Sequence, residues 1–461
     1  MMQLSQITQA VSGRMLGSDV LVQGVSINTR TDCQNRLFVA LRGERFDAHD
    51  FIDQARDAGA GAALIEEVAE KKVETSELPS VVVKSTHQAL KDLAGWWRSQ
   101  FVLPLIGVTG SVGKTSVKEM LGAIFQEIGT GVVTKGNLNN EIGVPLTLMR
   151  LGADDNYAIV EMGMNHAGEI SRISRMAKPT IALINNAAAA HLEGLGSIAA
   201  VAQAKAEIFE GLAPDGVAII NNDDEFAEQW TQQVGKRRII TFALNNDADV
   251  TATYQQVDNK LILSVVGLEN NFEVQIATVG EHNVANALAA IATSLAANIP
   301  VAKIQAGLQS YQPISGRLDL QSYGPITLID DTYNANPLSM RAAIKVLASY
   351  KNTTLIIGDM AELGAAAEQE HRQLGQVIAE SDIDTVLVCG KYADLVLKGC
   401  RSKGAKQTFA FKSQSKLIEF TDQHIDGGAV LVKGSRSAQM ENVVTVLREK
   451  FQANFNGRGK H

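Results

Sequence analysis

Gly107-Val-Thr-Gly-Ser-Val-Gly-Lys-Thr-Ser116 is the stretch that decides how this chain is read. It follows the apolar run Pro104-Leu105-Ile106. It opens a segment in which Val117, Met120, Leu121, Ile124, Phe125 and Ile128 recur at helical spacing. A strand, a glycine-rich turn and a helix beginning at Gly113-Lys114-Thr115 have the layout of a phosphate-cradling P-loop. Backbone N–H groups of Gly110, Ser111 and Gly113 would point into one concavity, and the helix N-terminus adds partial positive charge. Lys114 would sit against the β- and γ-phosphates and Thr115 would ligate Mg²⁺, with Thr109 and Ser116 at the edges of the cradle. Strict Walker A spacing wants glycine at position 108, and Val108 stands there.

A chain of 461 residues leads us to expect roughly two to four domains. Its net charge is −8 and it carries no Lys/Arg block, which makes nucleic acid a poor partner. A local cradle can still bind an anion. Cys33, Cys389 and Cys400 have no metal-ligand spacing, and so few cysteines suit a reducing compartment. There is neither a bilayer-length apolar run nor a signal-peptide pattern, so the expected location is the cytoplasm.

Three units are expected: 1–84, 85–313 and 314–461. In the first, Leu37–Leu41, Ala62–Ile65 and Val81–Val83 are strand candidates. In the middle unit Tyr157–Glu161, Thr180–Ile184 and Val217–Ile220 are continuous apolar runs, as expected of parallel strands buried on both faces. Residues 248–277 look antiparallel. The last unit alternates again through Ile326–Ile329, Thr354–Ile357, Thr385–Val388 and Ala429–Val432. The fold class is therefore α/β, with a central P-loop doubly wound sheet, a Rossmann-like C-terminal domain and a small α/β N-terminal domain. Ligands in such sheets bind beyond the carboxyl ends of the strands.

Polar clusters stand at those ends. Glu161 closes a strand and can face the P-loop as a Mg²⁺ ligand. His191 follows another strand and is a candidate metal or phosphate ligand. Lys205 falls in the apolar stripe of a helix expected over Ser197–Leu212. An inward ammonium is costly unless it is paired or modified. It could snorkel to solvent, pair with Glu207 or Glu210, or react as a neutral amine with CO₂ to give a carbamate able to bridge a metal. Asn283 and Asn286 share one helix face, as caps or as ligand contacts. Asp330-Asp-Thr-Tyr-Asn-Ala-Asn-Pro337 and Lys433-Gly-Ser-Arg436 follow strands and suit ribose, carboxylate or phosphate recognition.

Taken together, these segments resemble the Mur ligase family, ATP-dependent amide-bond formers of bacterial cell-wall synthesis. That family's nucleotide loop is TGxxGKT/S, which Thr109–Thr115 fits. The resemblance covers nearly the whole chain. It also rests on Gly136–Gly143, Glu161–Glu169, Asp330–Pro337, Gly358–Gly364 and Leu431–Arg436. It is closest to the family members that join D-alanyl-D-alanine to UDP-N-acetylmuramoyl-tripeptide, and the DNPR motif of the sister ligase is absent.

The resemblance implies that the first domain binds the UDP moiety through Thr29, Arg30, Phe38, Gly43, Asp47 and His49. Asn28, Thr29 and Ala48 depart from the family's usual Asp-Ser-Arg and Asp-Gly-His-Asp, and Thr29 keeps the hydroxyl. It implies ATP and Mg²⁺ at Lys114 and Thr115, metal ligation by Glu161 and His191, and a carbamylated Lys205, with Lys114, Lys205 and His191 as the catalytic set. Asn283 and Asn286 would touch the adenine side, and Arg317 and Asp331 would reach ATP from the last domain. Asn137, Asn139, Asn140, Tyr333, Asn334, Asn336, Lys433, Ser435 and Arg436 would contact the substrates. A monomer is expected. An amide ligase of the folylpolyglutamate synthase kind would share the loop without needing a UDP-binding domain. A nucleotide-dependent switch of GTPase type would carry Asn-Lys-x-Asp, which is absent.

Overall fold

The computed structural model describes residues 1–31, 33–71, 73, 77–401 and 407–458. Among these residues are sheets of five, nine and six strands and one two-stranded ribbon. The five-stranded sheet runs Arg14–Leu16, Ser80–Val83, Ala62–Glu66, Leu37–Val39, Val25–Ser26. It is parallel except at Arg14–Leu16.

In the nine-stranded sheet, Leu105–Thr109 lies between Tyr157–Glu161 and Ile181–Ile184, with Val217–Asn221 beyond. These strands are parallel. Successive side chains point to opposite faces, and here both faces are covered. Leu105, Ala158 and Val160 enter one buried cluster, while Ile106, Val108 and Ile159 enter the other. That is why the runs are apolar throughout rather than alternating. The helices Lys114–Gln126, Glu281–Ala296 and Val301–Ser310 cover the second face. Residues 250–276 form an antiparallel extension at the sheet edge.

The six-stranded sheet runs Asp319–Tyr323, Ile326–Asp331, Gly428–Lys433, Thr353–Gly358, Thr385–Cys389, Gln407–Phe411. Only Asp319–Tyr323, which sequence periodicity did not single out, is antiparallel.

The helix Thr86–Arg98 ties the first unit to the second. Trp97 Nε1 donates to the Leu151 carbonyl at 3.0 Å, and Arg98 Nε donates to that of Ala177 at 3.1 Å. Its Leu90 and Leu93 share a buried cluster with Leu4 and Ile7 of the first unit and with Ile170 of the second. The expected helix over Ser197–Leu212 is shorter: an α-helix over Ile198–Ala206 tightens into a 3-10 turn at Glu207–Glu210.

Candidate active site

The glycine-rich loop is held on two sides. Val108 is fully buried in the sheet core, so the glycine missing from strict Walker spacing falls on a strand residue. Gly113 precedes the helix Lys114–Gln126 with φ +80°. A Cβ there would meet Asn286 Oδ1 at 2.2 Å and Asn185 Nδ2 at 2.5 Å. The segment after Ile181–Ile184 zips onto the loop. Ser111 N donates to the Asn186 carbonyl at 3.0 Å, and Val112 N donates to Asn186 Oδ1 at 2.9 Å. Asn185 Nδ2 donates to the Val112 carbonyl at 3.0 Å. Lys114 Nζ folds back on the Gly110 carbonyl at 2.5 Å, and burial lowers its pKa.

A cavity of about 520 Å³ opens over this loop, between the central and C-terminal domains. Ser111, Gly113, Lys114, Thr115 and Ser116 line it, and Thr109 Oγ1 is buried beneath without a hydrogen-bond partner. Glu161 is 2% exposed. Its Oε1 accepts from Asn139 Nδ2 at 2.7 Å, and its Oε2, buried at the cavity, has no partner. An orphaned carboxylate oxygen in a cavity that Thr115 of the P-loop also lines fits a hard divalent cation. Among the described residues no group of three His, Cys, Asp or Glu forms a ready cage.

His191 also lines the cavity, with φ +57°. Its Nδ1 is 2.7 Å from Glu362 Oε2, an ion-pair distance outside hydrogen-bond geometry. The imidazole contact holds the Glu362 carboxyl below its ordinary value. Lys205 is 1% exposed and lies outside the cavity lining. The alternative of an ion pair does not hold. Glu207 accepts from the backbone of Gly168 and Ser171, and Glu210 binds Ser171 and Arg175. Burial first, and the nearby Lys114 charge second, push Lys205 well below the ordinary lysine range, with Asp224 opposing. The neutral form of an amine is the one that reacts with CO₂, and burial favours that form at Lys205.

Asn283 and Asn286 are not helix caps. Asn286 Nδ2 donates to Asn283 Oδ1, and Asn283 Nδ2 donates to Thr278 Oγ1 and the Val279 carbonyl. From the C-terminal side, Lys433 Nζ lies 2.7 Å from Asp331 Oδ2, its partner across neighbouring strands. Burial raises the Asp331 pKa, with Lys433 opposing. Arg317 stacks 4.1 Å over the Tyr333 ring with its Nε unpartnered. Asn137, Asn139, Asn140 and Asn334 line the cavity. Asn336 lines it too, but its Oδ1 is engaged as the cap of the helix Pro337–Leu347.

Other expected residues lie elsewhere. Thr29, Arg30, Phe38, Gly43, Asp47 and His49 do not line this cavity. Phe38 is 1% exposed in the first-domain core, so its side chain is a packing element and not a ligand contact. His49 is buried, with Nδ1 2.5 Å from Asp47 Oδ1 and Nε2 accepting from Glu66 N at 3.0 Å. It therefore shapes its loop from inside. Burial pushes the Asp47 carboxyl up, but hydrogen bonds from His49 outweigh it and hold the pKa at about 2. Asn28 Oδ1 accepts from Arg30 N at 3.0 Å, a turn-forming role open to Asn as to Asp. Ser435 faces an adjoining cavity of about 330 Å³ with Glu193, Asp359 and Tyr392. Arg436 is exposed, pairs with Glu441 at 3.0 Å and lines neither cavity.

His282 and Glu362, from the polar segments 280–286 and 358–364, also stand on the cavity wall, with Asn185 and Asn186, which no motif marks. Asn185 and Asn186 directly follow a strand, the signal that could have found them.

Family models match three parts of the chain: the Mur ligase family catalytic domain over 21–98, the Mur ligase middle domain over 108–294, and the Mur ligase glutamate ligase domain over 316–436. UDP-N-acetylmuramoyl-tripeptide--D-alanyl-D-alanine ligase of Escherichia coli K12 is 43% identical over 454 residues, covering 97% of this chain and 98% of that protein. The enzyme of the same name from Haemophilus influenzae is 37% identical, with 98% of each chain covered. Among solved structures, MurF from Acinetobacter baumannii superposes with TM-score 0.89 at 34% identity, covering 96% of this chain and 98% of that one. The fold is also that of MurF ligase from Thermotoga maritima in complex with ADP, at TM-score 0.79 and 23% identity, covering 95% of this chain and 100% of that one.

Proposed function

The chain belongs to the Mur ligase family, and from that premise we propose that it joins D-alanyl-D-alanine to UDP-N-acetylmuramoyl-tripeptide at the expense of ATP. The observation that carries the reading is one cavity bounded by the phosphate loop on one side and by Arg317, Asp331 and Lys433 of another domain on the other.

A carboxylate is a poor acylating agent because oxide is a poor leaving group. A carboxylate oxygen of the tripeptide attacks the γ-phosphorus of ATP, ADP departs, and an acyl phosphate remains. The neutral amine of the dipeptide attacks the acyl carbon, the C–O bond to phosphate breaks, and the amine proton is released. Two anions must first approach each other. Lys114 and the loop N–H groups offset that repulsion, and Arg317 and Lys433 add positive charge from the facing wall. Thr115, Glu161 and His191, with Lys205 as its carbamate, would hold Mg²⁺, which when bound neutralises phosphate charge. Asn283 and Asn286 would orient the adenine side, and closure of the C-terminal domain would exclude water from the acyl phosphate. The first domain would hold the UDP group through the Thr29–Arg30 turn and the Gly43–Asp47 loop.

No helix among the described residues is long and apolar enough to cross a membrane. We place the enzyme in the cytoplasm, where ATP is supplied, and take it to act as a monomer. The test is phosphate release from ATP and Mg²⁺ with the UDP-tripeptide and D-alanyl-D-alanine, omitting each in turn. Release only with both, together with the joined product by mass, is the expected result. Release without either would discard the reading.

A further inference from the structure

Asn185 is 2% exposed and directly follows the strand Ile181–Ile184. Its main chain is fully engaged: N donates to the Thr109 carbonyl at 2.9 Å, and its carbonyl accepts from Asn221 Nδ2 at 2.9 Å. Its side-chain amide donates twice, to the Val112 carbonyl at 3.0 Å and to Asn286 Oδ1 at 2.9 Å. Only Oδ1, at the cavity, has no partner.

The direction of this network follows from its ends. The Val112 and Val279 carbonyls can only accept. Asn185 must therefore turn its NH₂ to the loop, and Asn283 must turn its own to Val279. Between them, Asn286 receives a hydrogen bond at Oδ1 and gives one from Nδ2 to Asn283. Asn286 Nδ2 keeps one N–H beyond its bond to Asn283, Asn185 Oδ1 has no partner, and both residues line the cavity. Gly113 leaves room for the junction, since a Cβ there would collide with both amides.

We propose that Asn185 is a positioning residue for the nucleotide: it clamps the phosphate loop at Val112 and fixes the amide orientation of Asn286 in one act. The assignment rests on the ligase reading above and goes beyond it by naming the link between loop and helix. Because the link holds the ground-state cradle, Asn185 governs ATP affinity more than the chemical step.

The test is the isosteric Asn185→Asp, which replaces two donated hydrogen bonds by carboxylate facing two acceptors, with Asn185→Ala beside it in case the first variant folds poorly. Expected are a rise of about tenfold or more in KM for ATP and in the ADP dissociation constant measured by calorimetry. The value of kcat stays within about threefold, and affinity for the UDP-tripeptide is unchanged. In the cycle of Asn185→Ala with Asn286→Ala the ATP losses are strongly less than additive. A folded variant with wild-type ATP affinity, additive losses in the cycle, or an equal loss of UDP-tripeptide affinity would overturn the assignment. Failure of the wild-type chain to bind any adenine nucleotide would instead overturn the functional reading beneath it.

Discussion

Nδ1 of His191, in the central domain, lies 2.7 Å from Oε2 of Glu362, in the C-terminal domain. Two residues further on, Glu193 N donates to the Glu362 carbonyl at 3.3 Å. Side chain and main chain of one residue thus clasp the two walls of the cavity, and they do so through the histidine proposed as a metal ligand. Glu362→Gln keeps the shape and removes the charge. The glutamate is half exposed, so the pair contributes no more than about 1 kcal/mol. We expect at most about a fivefold shift toward open states in nucleotide-free protein. Inter-domain energy transfer identical to wild type would sink this.

Gly113→Ala combines a left-handed backbone (φ +80°) with a collision against Asn286. Gly196→Ala has the same φ and no atom within 4 Å. Both should lose about 1–2 kcal/mol from backbone strain. Only Gly113→Ala should also lose ATP binding, by about tenfold or more. Parallel melting and calorimetry decide it, and equal ATP affinity in the two variants would refute the role given to the Gly113 junction.

Lys205 separates stability from activity. Lys205→Met removes an inward amine from an apolar site, so the melting temperature should hold or rise. Activity should fall by about two or more orders of magnitude, because no carbamate can form. Carbon-13 bicarbonate should label the wild-type chain with a carbamate resonance that is absent from the variant. A methionine variant with wild-type kcat would end the carbamate proposal.

Glu161→Gln should leave the fold intact, since Asn139 can still donate to the amide oxygen. The Mg²⁺ concentration for half-maximal activity should rise by about tenfold or more, because an anionic ligand is lost. An unchanged Mg²⁺ titration would remove Glu161 from the metal site.

His282 gives a pH dependence. Burial first, and the Lys433 charge second, lower its pKa from 6.5 to about 4. The unfolded chain therefore binds the proton more readily than the folded one. Its contribution to stability is present above pH 6.5 and is lost as pH falls toward about 4. Denaturant titrations should show this acid-side slope shallower in His282→Gln. The same slope in both proteins would count against it.

Much of the architecture was open to reading along the chain. Ile106, Val108 and Ile159 on one face and Leu105, Ala158 and Val160 on the other make the continuous apolar runs that a doubly covered parallel strand requires. The boundaries that failed were capping and tightening events. Ala206 ends a helix that its apolar stripe would carry to Leu212, because the chain tightens into a 3-10 turn there.

By itself the sequence determined the strand–loop–helix of the phosphate cradle, the alternation of strands and helices, and an inward lysine at position 205. Each of these is local, set by side-chain periodicity and by glycine within about one turn or strand. Only the tertiary structure decided which polar groups converge. Asn185 meets Asn286 across 101 residues, and Lys433 meets Asp331 across 102. The same packing engaged Asn336 as a cap, buried Phe38 in a core and left Arg436 on the surface. Such outcomes follow from strand order and domain apposition, in which distant residues become neighbours and compete for one hydrogen bond, and no spacing along the chain encodes that competition.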